Sequence, residues 1–326
     1  MSRARGIWTS WVRLLDRREP GDAIALFRIG IGLVVLDALI EVITGGLQGI
    51  VWVDRAHGGY RALGAGPYLV EWLGGPTPGV VRGLVALAIA SAALLVLGLG
   101  GRLTAFVTLQ AYMALQRINN HASGSSDLLL TNALWLLVLA RSTATLSLDC
   151  RLKTGRLRSD EEISAFPRYL AVLQLVVMYW STGLQKVSAY WFPTGYYSAL
   201  YYALQQPSWQ RMDMTWLAHV YPLTQLATAT TWLWEVTSPL ILLVYYHRYT
   251  ADRGGRLRRW ANRFDLRKPW AILGAFLHVM ILLAMDVGHF SLVSLAFYAC
   301  LWHPDEIRAA GAWIGARLGQ RRPSPA

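Results

Sequence analysis

Long apolar runs, separated by short polar and basic stretches, dominate the chain. A run of about 20 mostly apolar residues is long enough to cross a bilayer as a helix. The pattern therefore predicts an all-α, polytopic integral membrane bundle of about eight transmembrane helices. The third, fourth and eighth runs are short, so seven or nine spans are alternatives. The eight runs are 23–45, 79–100, 103–118, 128–143, 168–186, 223–246, 269–286 and 288–303.

The composition supports a membrane protein. Hydrophobic residues make up 54% of the chain, charged residues 15%, and the mean hydropathy is +0.33, whereas a soluble domain carries about 25% charged residues. Cys150 and Cys300 lie far apart and outside any CxxC pattern, so neither a disulfide framework nor a metal site is predicted.

The formal net charge of +12 is explained by membrane orientation. With eight spans, 24 of the 31 basic residues fall on the side of both termini and six on the other side. Basic residues concentrate on the cytoplasmic side, and they sit between apolar runs here, so nucleic-acid binding is not expected. We expect a multi-pass protein of the plasma (inner) membrane with both termini in the cytoplasm. Its predicted parts are a basic segment (1–22), a transmembrane domain (23–303) and a basic tail (304–326).

Polar residues inside or at the ends of the predicted spans are the candidate site. Ionisable groups in a membrane are costly and usually face a bundle interior or a cavity. Arg28 either snorkels or pairs with a carboxylate, and Glu235 either braces the bundle or takes part in catalysis. His278 lies inside the seventh span. The eight-span topology places the others at one outer depth: Asn119, Asn120, His121, Asp127, Lys186, Asp286 and His289.

Lys186 and His121 are the predicted reactive pair of that outer group. Partial burial of a lysine among aromatic rings disfavours its charged form, so the neutral amine can act as a base. A histidine can donate a proton or stabilise a developing anion. The alternative is structural, because an interfacial lysine is often a snorkelling anchor and a histidine at a helix end is often a polar cap.

Five segments carry a resemblance to a known family: 26–32, 117–121 with Gly124 and Asp127, 183–191 with Gly195, Glu235 with Pro239, and His278 with 289–291. Over about residues 20 to 305 the chain resembles the HTTM domain, the membrane domain that vitamin K-dependent gamma-glutamyl carboxylases share with many bacterial proteins. The segment 183–191, which ends at Trp191, is the most specific. It is similar to the carboxylase segment that holds the catalytic lysine.

The resemblance implies a chemistry and assigns residues to it. Lys186 matches the base that deprotonates vitamin K hydroquinone, here expected to be of the menaquinol type. In the carboxylases oxygen then gives an epoxide, and a strongly basic alkoxide removes a γ-proton from glutamate before carbon dioxide adds. His121 matches the residue thought to stabilise the glutamyl carbanion. The implied activity is that of a quinol-dependent oxygenase or a carboxylase-like lyase.

The chain departs from the family pattern near the lysine. The family has a lysine where this chain has Gln185, and an acidic residue where it has Ser188. The animal carboxylases also continue into a large lumenal region that binds the peptide substrate. We therefore expect quinol chemistry in an outer-leaflet site without that region.

Two other functions remain open at this point. One is a non-catalytic membrane protein that keeps the fold and serves in peptide export, immunity or lipid binding. The other is a small transporter, although the sequence has no internal repeat of the kind that transporters use. The expected partners are membrane lipids, a quinone, and a redox or peptide partner protein. No metal cofactor is expected.

Overall fold

The computed structural model describes residues 8–9, 12–13, 15–60 and 67–319. The regular secondary structure of this part of the chain is all helical except for one small two-stranded sheet. The chain divides into two compact units: residues 1–171 with 302–326, and residues 172–301. The predicted N-terminal segment and tail lie partly outside the described residues.

The helices and strands are numbered here in chain order. The strands β1 (Arg18–Pro20) and β2 (Glu162–Ser164) pair antiparallel. The helices are α1 (Asp22–Thr44), α2 (Gln48–Val51), α3 (Tyr68–Trp72), α4 (Pro78–Leu97), α5 (Gly101–Ile118), α6 (Ser125–Leu139), α7 (Leu148–Thr154), α8 (Phe166–Gln185), α9 (Ala199–Leu204), α10 (Tyr221–Val236), α11 (Leu240–Tyr249), α12 (Arg256–Phe264), α13 (Arg267–Ala284), α14 (Phe290–Tyr298) and α15 (Pro304–Gly319).

The first unit is built on four apolar helices. The helix α4 packs against both α1 and α5, and α6 packs against α5 and α1. The buried face of α1 includes Phe27, Ile31 and Val35, which recur every four residues and so lie on one side of the helix. The predicted cytoplasmic tail is largely helical, because α15 packs on α1 through Arg308, whose Nε lies 2.8 Å from Asp22.

The second unit is centred on α10, α13 and α14. The indole rings of Trp234 and Trp270 stack with centroids 4.7 Å apart. Each indole N–H donates to the other residue's carbonyl oxygen, at 3.0 and 3.3 Å. These reciprocal bonds satisfy both buried N–H groups, which would otherwise be costly to leave unpaired. They fix α10 against α13, so the carboxylate that follows Trp234 has a defined position.

Each of the eight predicted segments contains a helix, with two differences. In the eighth, 288–303, the helix α14 covers only Phe290–Tyr298, and the sixth is interrupted. The sixth segment is two helices, since α10 ends at Val236 and α11 begins at Leu240. Pro239 lacks the N–H that a continuous helix needs. The interruption is stabilised by Ser238, whose hydroxyl donates to the carbonyl oxygen of Val176 at 3.0 Å.

Three described helices are long and apolar enough to cross a membrane: Asp22–Thr44, Pro78–Leu97 and Arg267–Ala284. Two shorter apolar helices, Ser125–Leu139 and Phe290–Leu301, accompany them. The all-helical, apolar character expected from the sequence is therefore confirmed. The count of eight spans and the cytoplasmic placement of both termini stay predictions.

Candidate functional site

Lys186 lies directly after α8 and forms an ion pair with Glu235 near the end of α10. The side chains are only 14% and 9% exposed, respectively. The ring of Trp191 lies 4.8 Å from the Lys186 Nζ atom, within the range at which an aromatic face attracts a cation. The structure thus brings together three of the residues predicted for the site.

Gly183 permits this approach of α8 to α10. A Cβ atom at position 183 would lie 2.9 Å from Val236 Cγ2, 3.0 Å from Glu235 Cβ and 3.0 Å from the Val236 backbone nitrogen. Distances under about 3 Å are not tolerated without movement of the neighbours. A glycine one turn before Lys186 therefore lets the lysine reach the carboxylate.

The hydrogen bonding of the pair is exclusive. In the described part of the chain, Lys186 is the donor to the Glu235 carboxylate, and Glu235 is the acceptor for the Lys186 ammonium. A pair formed by two ionisable groups can exist as ammonium and carboxylate or as amine and carboxylic acid, with a net charge of zero in both forms. Such a pair can therefore exchange a proton with a bound molecule.

Position 186 holds a lysine, whereas most basic positions of this chain hold an arginine. The chain has 31 basic residues, of which only Lys153, Lys186 and Lys268 are lysines. Lys153 and Lys268 are exposed. Arginine keeps its proton in proteins, whereas lysine can release one. The one lysine that is largely shielded from solvent is thus the one paired with a carboxylate.

His278 lies in a second polar cluster of the same unit, together with two residues that the sequence did not indicate. Its Nε2 atom lies 2.6 Å from the Tyr179 hydroxyl, which donates to the Tyr298 hydroxyl at 3.3 Å. The Tyr179 ring also contacts Trp234, with centroids 4.4 Å apart, so this cluster adjoins the residue next to Glu235. The available signal was spacing, since Tyr179 lies on α8 seven residues before Lys186, and seven residues are about two helical turns.

Asp286 and His289 lie at the turn between α13 and α14. Asp286 is exposed, and its carboxylate is 3.6 Å from the guanidinium of Arg211, which is also exposed. His289 immediately precedes α14. The structure does not place Asp286 in the Lys186–Glu235 pair, since its ion-pair partner is Arg211.

Asn119 and His121 form a turn at the end of α5 in the first unit. The buried Asn119 amide donates to the carbonyl oxygen of Val51 at 3.0 Å, and its side-chain oxygen accepts from the His121 backbone N–H at 3.1 Å. The side chains of Asn120 and His121 are exposed. Asn119 therefore fixes the turn that presents His121.

Asp127 has a structural position at the start of α6. One carboxylate oxygen accepts from the Gly124 backbone N–H at 2.7 Å, and the other accepts from the Tyr112 hydroxyl at 2.5 Å. A carboxylate in the first turn of a helix satisfies an unpaired N–H and complements the helix dipole. Asp127 thus joins α5 to α6.

Arg28 lies at the opposite end of α5 from His121. Its guanidinium donates to the carbonyl oxygens of Ser142 and Leu146 at 2.7 and 2.6 Å. It is fully buried, and the nearby charge of Asp149 attracts it, although no carboxylate of the described residues forms a direct ion pair with it. Gly98, with a φ of +71°, leaves room for it, because a Cβ there would lie 2.7 Å from Arg28 Nη1. The 18 residues of α5 span about 27 Å. Arg28 therefore holds the loop after α6 and lies about one helix length from His121.

A cleft of about 400 Å³ lies elsewhere in the first unit, beside the start of α5 and α7. Charged residues of both signs line it, among them Arg102, Arg141, Asp149, Lys153 and Glu161. It contains none of the residues predicted for the site. Within the residues described, no group of three or more His, Cys, Asp or Glu side chains could hold a metal ion.

Comparison with known proteins gives one family. The family model of the HTTM domain matches residues 17–252, most of the chain. No match was found among curated proteins or among solved structures. The matched range includes both members of the buried ion pair and the Asn119–His121 turn. It ends before the remaining three predicted residues, His278, Asp286 and His289.

Proposed function

The chain belongs to the HTTM domain family, whose members are membrane-associated, and we propose that it is a membrane enzyme whose Lys186–Glu235 pair accepts a proton from a lipid-soluble hydroquinone. The observation that carries the proposal is the pairing, exclusive among the described residues, of a partly buried lysine with a buried glutamate. The family's tie to vitamin K-dependent carboxylase membrane domains supports a vitamin K hydroquinone of the menaquinol type as the substrate.

The proton balance of the pair suits this step. In the amine and carboxylic acid form, the Lys186 lone pair accepts from the Glu235 carboxyl group until a substrate hydroxyl takes the place of that carboxyl group. The amine then accepts the proton of the substrate hydroxyl, and the negative charge stays on the substrate oxygen. The new ammonium then lies against the face of Trp191, which stabilises a cation. Burial strengthens both the Lys186–Glu235 bond and the contact of the ammonium with Trp191, because it lowers the local dielectric constant.

The surroundings of the pair suit a substrate that arrives from lipid. Leu184, Val187 and Tyr190 flank Lys186 in sequence and are exposed large hydrophobic residues. Exposed apolar side chains beside a buried polar pair offer a contact surface for an apolar ring or chain. Lys186 therefore lies at the edge between an apolar surface and a polar interior.

The later steps of the family's chemistry rest on the sequence motif. We assign His121 the stabilisation of a substrate anion, because it matches the family position and its imidazole is exposed. Epoxide formation, carboxylation of glutamate and the use of a peptide or redox partner are parts of this proposal, as is a location in the plasma membrane.

A second candidate function has its own supporting observation. The same ion pair, together with Gly183 and the stacked tryptophans, can serve only to hold α8 to α10 and α13. The chain would then be a non-catalytic membrane binding or partner protein. Under that alternative, replacement of Lys186 lowers stability and abolishes no reaction.

The experiment compares hydroquinone oxidation by the purified protein in nanodiscs. The wild type, Lys186→Ala and the exposed-lysine control Lys153→Ala are supplied with menaquinol and oxygen, and the quinone and epoxide are measured by mass spectrometry. We expect epoxide from the wild type and the control but not from Lys186→Ala. Equal product from all three variants, or none from the wild type, would support the non-catalytic alternative.

A further inference from the structure

The short helix α12 exposes a continuous apolar face. Leu257, Trp260 and Phe264 are 65%, 49% and 55% exposed. Their spacing of three and four residues places them on one side of the helix. The rings of Trp260 and Phe264 contact each other, with centroids 5.4 Å apart. Three large apolar side chains thus form a single exposed ridge.

Chain connectivity keeps α12 close to the end of a candidate membrane span. Only Asp265 and Leu266 separate α12 from α13, and α13 is long and apolar enough to cross a membrane. Two residues extend by at most about 7 Å. The C-terminal end of α12 must therefore lie near the level at which α13 enters the bilayer.

The bend between α12 and α13 is fixed by Asp265. Its backbone has a φ of +38°, and its carboxylate lies 2.6 Å from Arg267, 3.9 Å from Lys268 and 4.0 Å from Arg248. Three cations around one carboxylate hold the end of α11, the bend and the start of α13 together. The angle of α12 is thus set by these contacts.

The opposite face of α12 is bound to the end of α11 and the loop after it. Arg258 donates to the Thr250 hydroxyl at 2.9 Å and to the Gly254 carbonyl oxygen at 2.6 Å. Asn262 donates to the His247 carbonyl oxygen at 3.1 Å. With that face held, the apolar ridge has to point outward.

Unpaired positive charge flanks the ridge. Arg256, Arg259 and Arg263 are exposed, and none has an ion-pair partner among the described residues. The surrounding segment 247–268 contains eight basic residues and two acidic ones. An amphipathic helix with Arg on the polar face and Trp, Phe and Leu on the other is typical of helices that lie in a membrane interface.

We propose that α12 is an interfacial helix that binds anionic phospholipids: Leu257, Trp260 and Phe264 enter the headgroup region, and Arg256, Arg259 and Arg263 contact lipid phosphates. The charge and the nearby span select a lipid surface over another protein as the occupant. The proposal is independent of the chemistry at Lys186. A basic side chain near an anionic surface gains roughly a fivefold preference for it.

The test measures the depth of position 260 in the full-length protein. Trp260→Cys is labelled with a nitroxide, while Cys150 and Cys300 are buried. The protein is placed in nanodiscs of phosphatidylcholine alone or of phosphatidylcholine and phosphatidylglycerol in equal amounts. We expect the label to be protected from a water-soluble nickel relaxation agent and accessible to oxygen. Its protection from nickel should be greater in the anionic nanodiscs.

Matched charge variants distinguish lipid binding by α12 from the general attraction of a basic protein to an anionic membrane. The variant Arg256→Gln/Arg259→Gln/Arg263→Gln should lose the dependence on phosphatidylglycerol. The control Arg151→Gln/Lys153→Gln/Arg156→Gln removes the same charge elsewhere and should retain it. A label open to nickel in both nanodiscs would overturn the proposal. So would protection that is equal in the two nanodiscs and unchanged in the α12 charge variant, which would indicate contact with protein.

Discussion

The polar groups of the Lys186–Glu235 pair and those of the Asn119–Asp127 region are satisfied in different ways. The Asn119 amide bonds to backbone groups, and the Asp127 carboxylate accepts from a backbone N–H and from Tyr112. Lys186 and Glu235 instead bond to each other. Both regions match segments that the sequence predicted to be functional.

The bonds of the Asn119–Asp127 region fix a loop, whereas those of the Lys186–Glu235 pair can hold a mobile proton. A backbone N–H or carbonyl does not titrate, so a side chain bonded to it has a permanent partner. Asp127 also accepts from the Tyr112 hydroxyl, but its other oxygen is held by a backbone N–H. Among the described residues, the side chains of Lys186 and Glu235 hydrogen-bond only to each other, so a proton can move between them without changing the net charge of the pair. We therefore expect reactivity at Lys186 and a structural role at Asn119 and Asp127.

The largest effect is expected for Lys186→Met. It leaves the Glu235 carboxylate buried without its cation, and breaking a buried ion pair from one side costs about 3–5 kcal/mol. The free energy of unfolding in mixed micelles should fall by that amount, with loss of hydroquinone oxidation. The double variant Lys186→Met/Glu235→Leu removes both charges and should recover most of the stability. If the double variant is as unstable as the single one, the pair is not the cause.

Gly183→Ala should have the next largest effect. The added methyl group meets the backbone and side chains of α10 at 2.9–3.0 Å, and overpacking of this kind costs about 1–3 kcal/mol. The control is Gly83→Ala in α4, where no heavy atom lies within 4 Å of the added carbon. A thermal melt should show a loss only for Gly183→Ala. Equal melting temperatures for the two variants would contradict the close approach of α8 and α10.

Asp127→Ala sharpens the comparison from the other side. It removes the acceptor for the Gly124 N–H and the Tyr112 hydroxyl, and loss of such a cap costs about 1–2 kcal/mol. Turnover per folded molecule should be unchanged, because Asp127 is assigned a structural role. The free energy of unfolding and the specific activity are both measured for this variant. A loss of activity without a loss of stability would mean that Asp127 takes part in the reaction.

Asp286→Asn should have the smallest effect. The carboxylate is exposed and lies 3.6 Å from an exposed arginine, and surface ion pairs contribute about 0–1 kcal/mol. Unfolding titrations of this variant and of the wild type should nearly coincide. A larger loss of stability would mean that Asp286 has a buried partner in the membrane.

Much of the fold was predictable because apolar length is a local property. All eight predicted apolar segments correspond to helices. Pro239 marks the break in the sixth segment, although 223–246 was predicted to be one span. The helical tail α15 was not predicted, because its contact with α1 depends on Asp22, 286 residues from Arg308.

The candidate site was predicted as residues but not as pairs. Lys186, Glu235 and Trp191 were each named, yet the partnership of Lys186 with Glu235 spans 49 positions and depends on the packing of α8 on α10. Arg28 was expected to snorkel or to pair with a carboxylate. Its hydrogen bonds go to carbonyl oxygens, and Asp149 attracts it without a direct ion pair. Backbone acceptors in a loop leave no mark in the sequence, so this outcome required the structure.

The most direct test of the central claim is hydroquinone oxidation by Lys186→Arg. Arginine keeps the positive charge and can keep the ion pair with Glu235, but it does not release its proton. If the pair is a base, stability should stay near that of the wild type while turnover falls by about 10²–10⁴-fold, the contribution of a positioned acid or base. Turnover equal to that of the wild type would contradict the claim and leave the pair as a brace between α8 and α10.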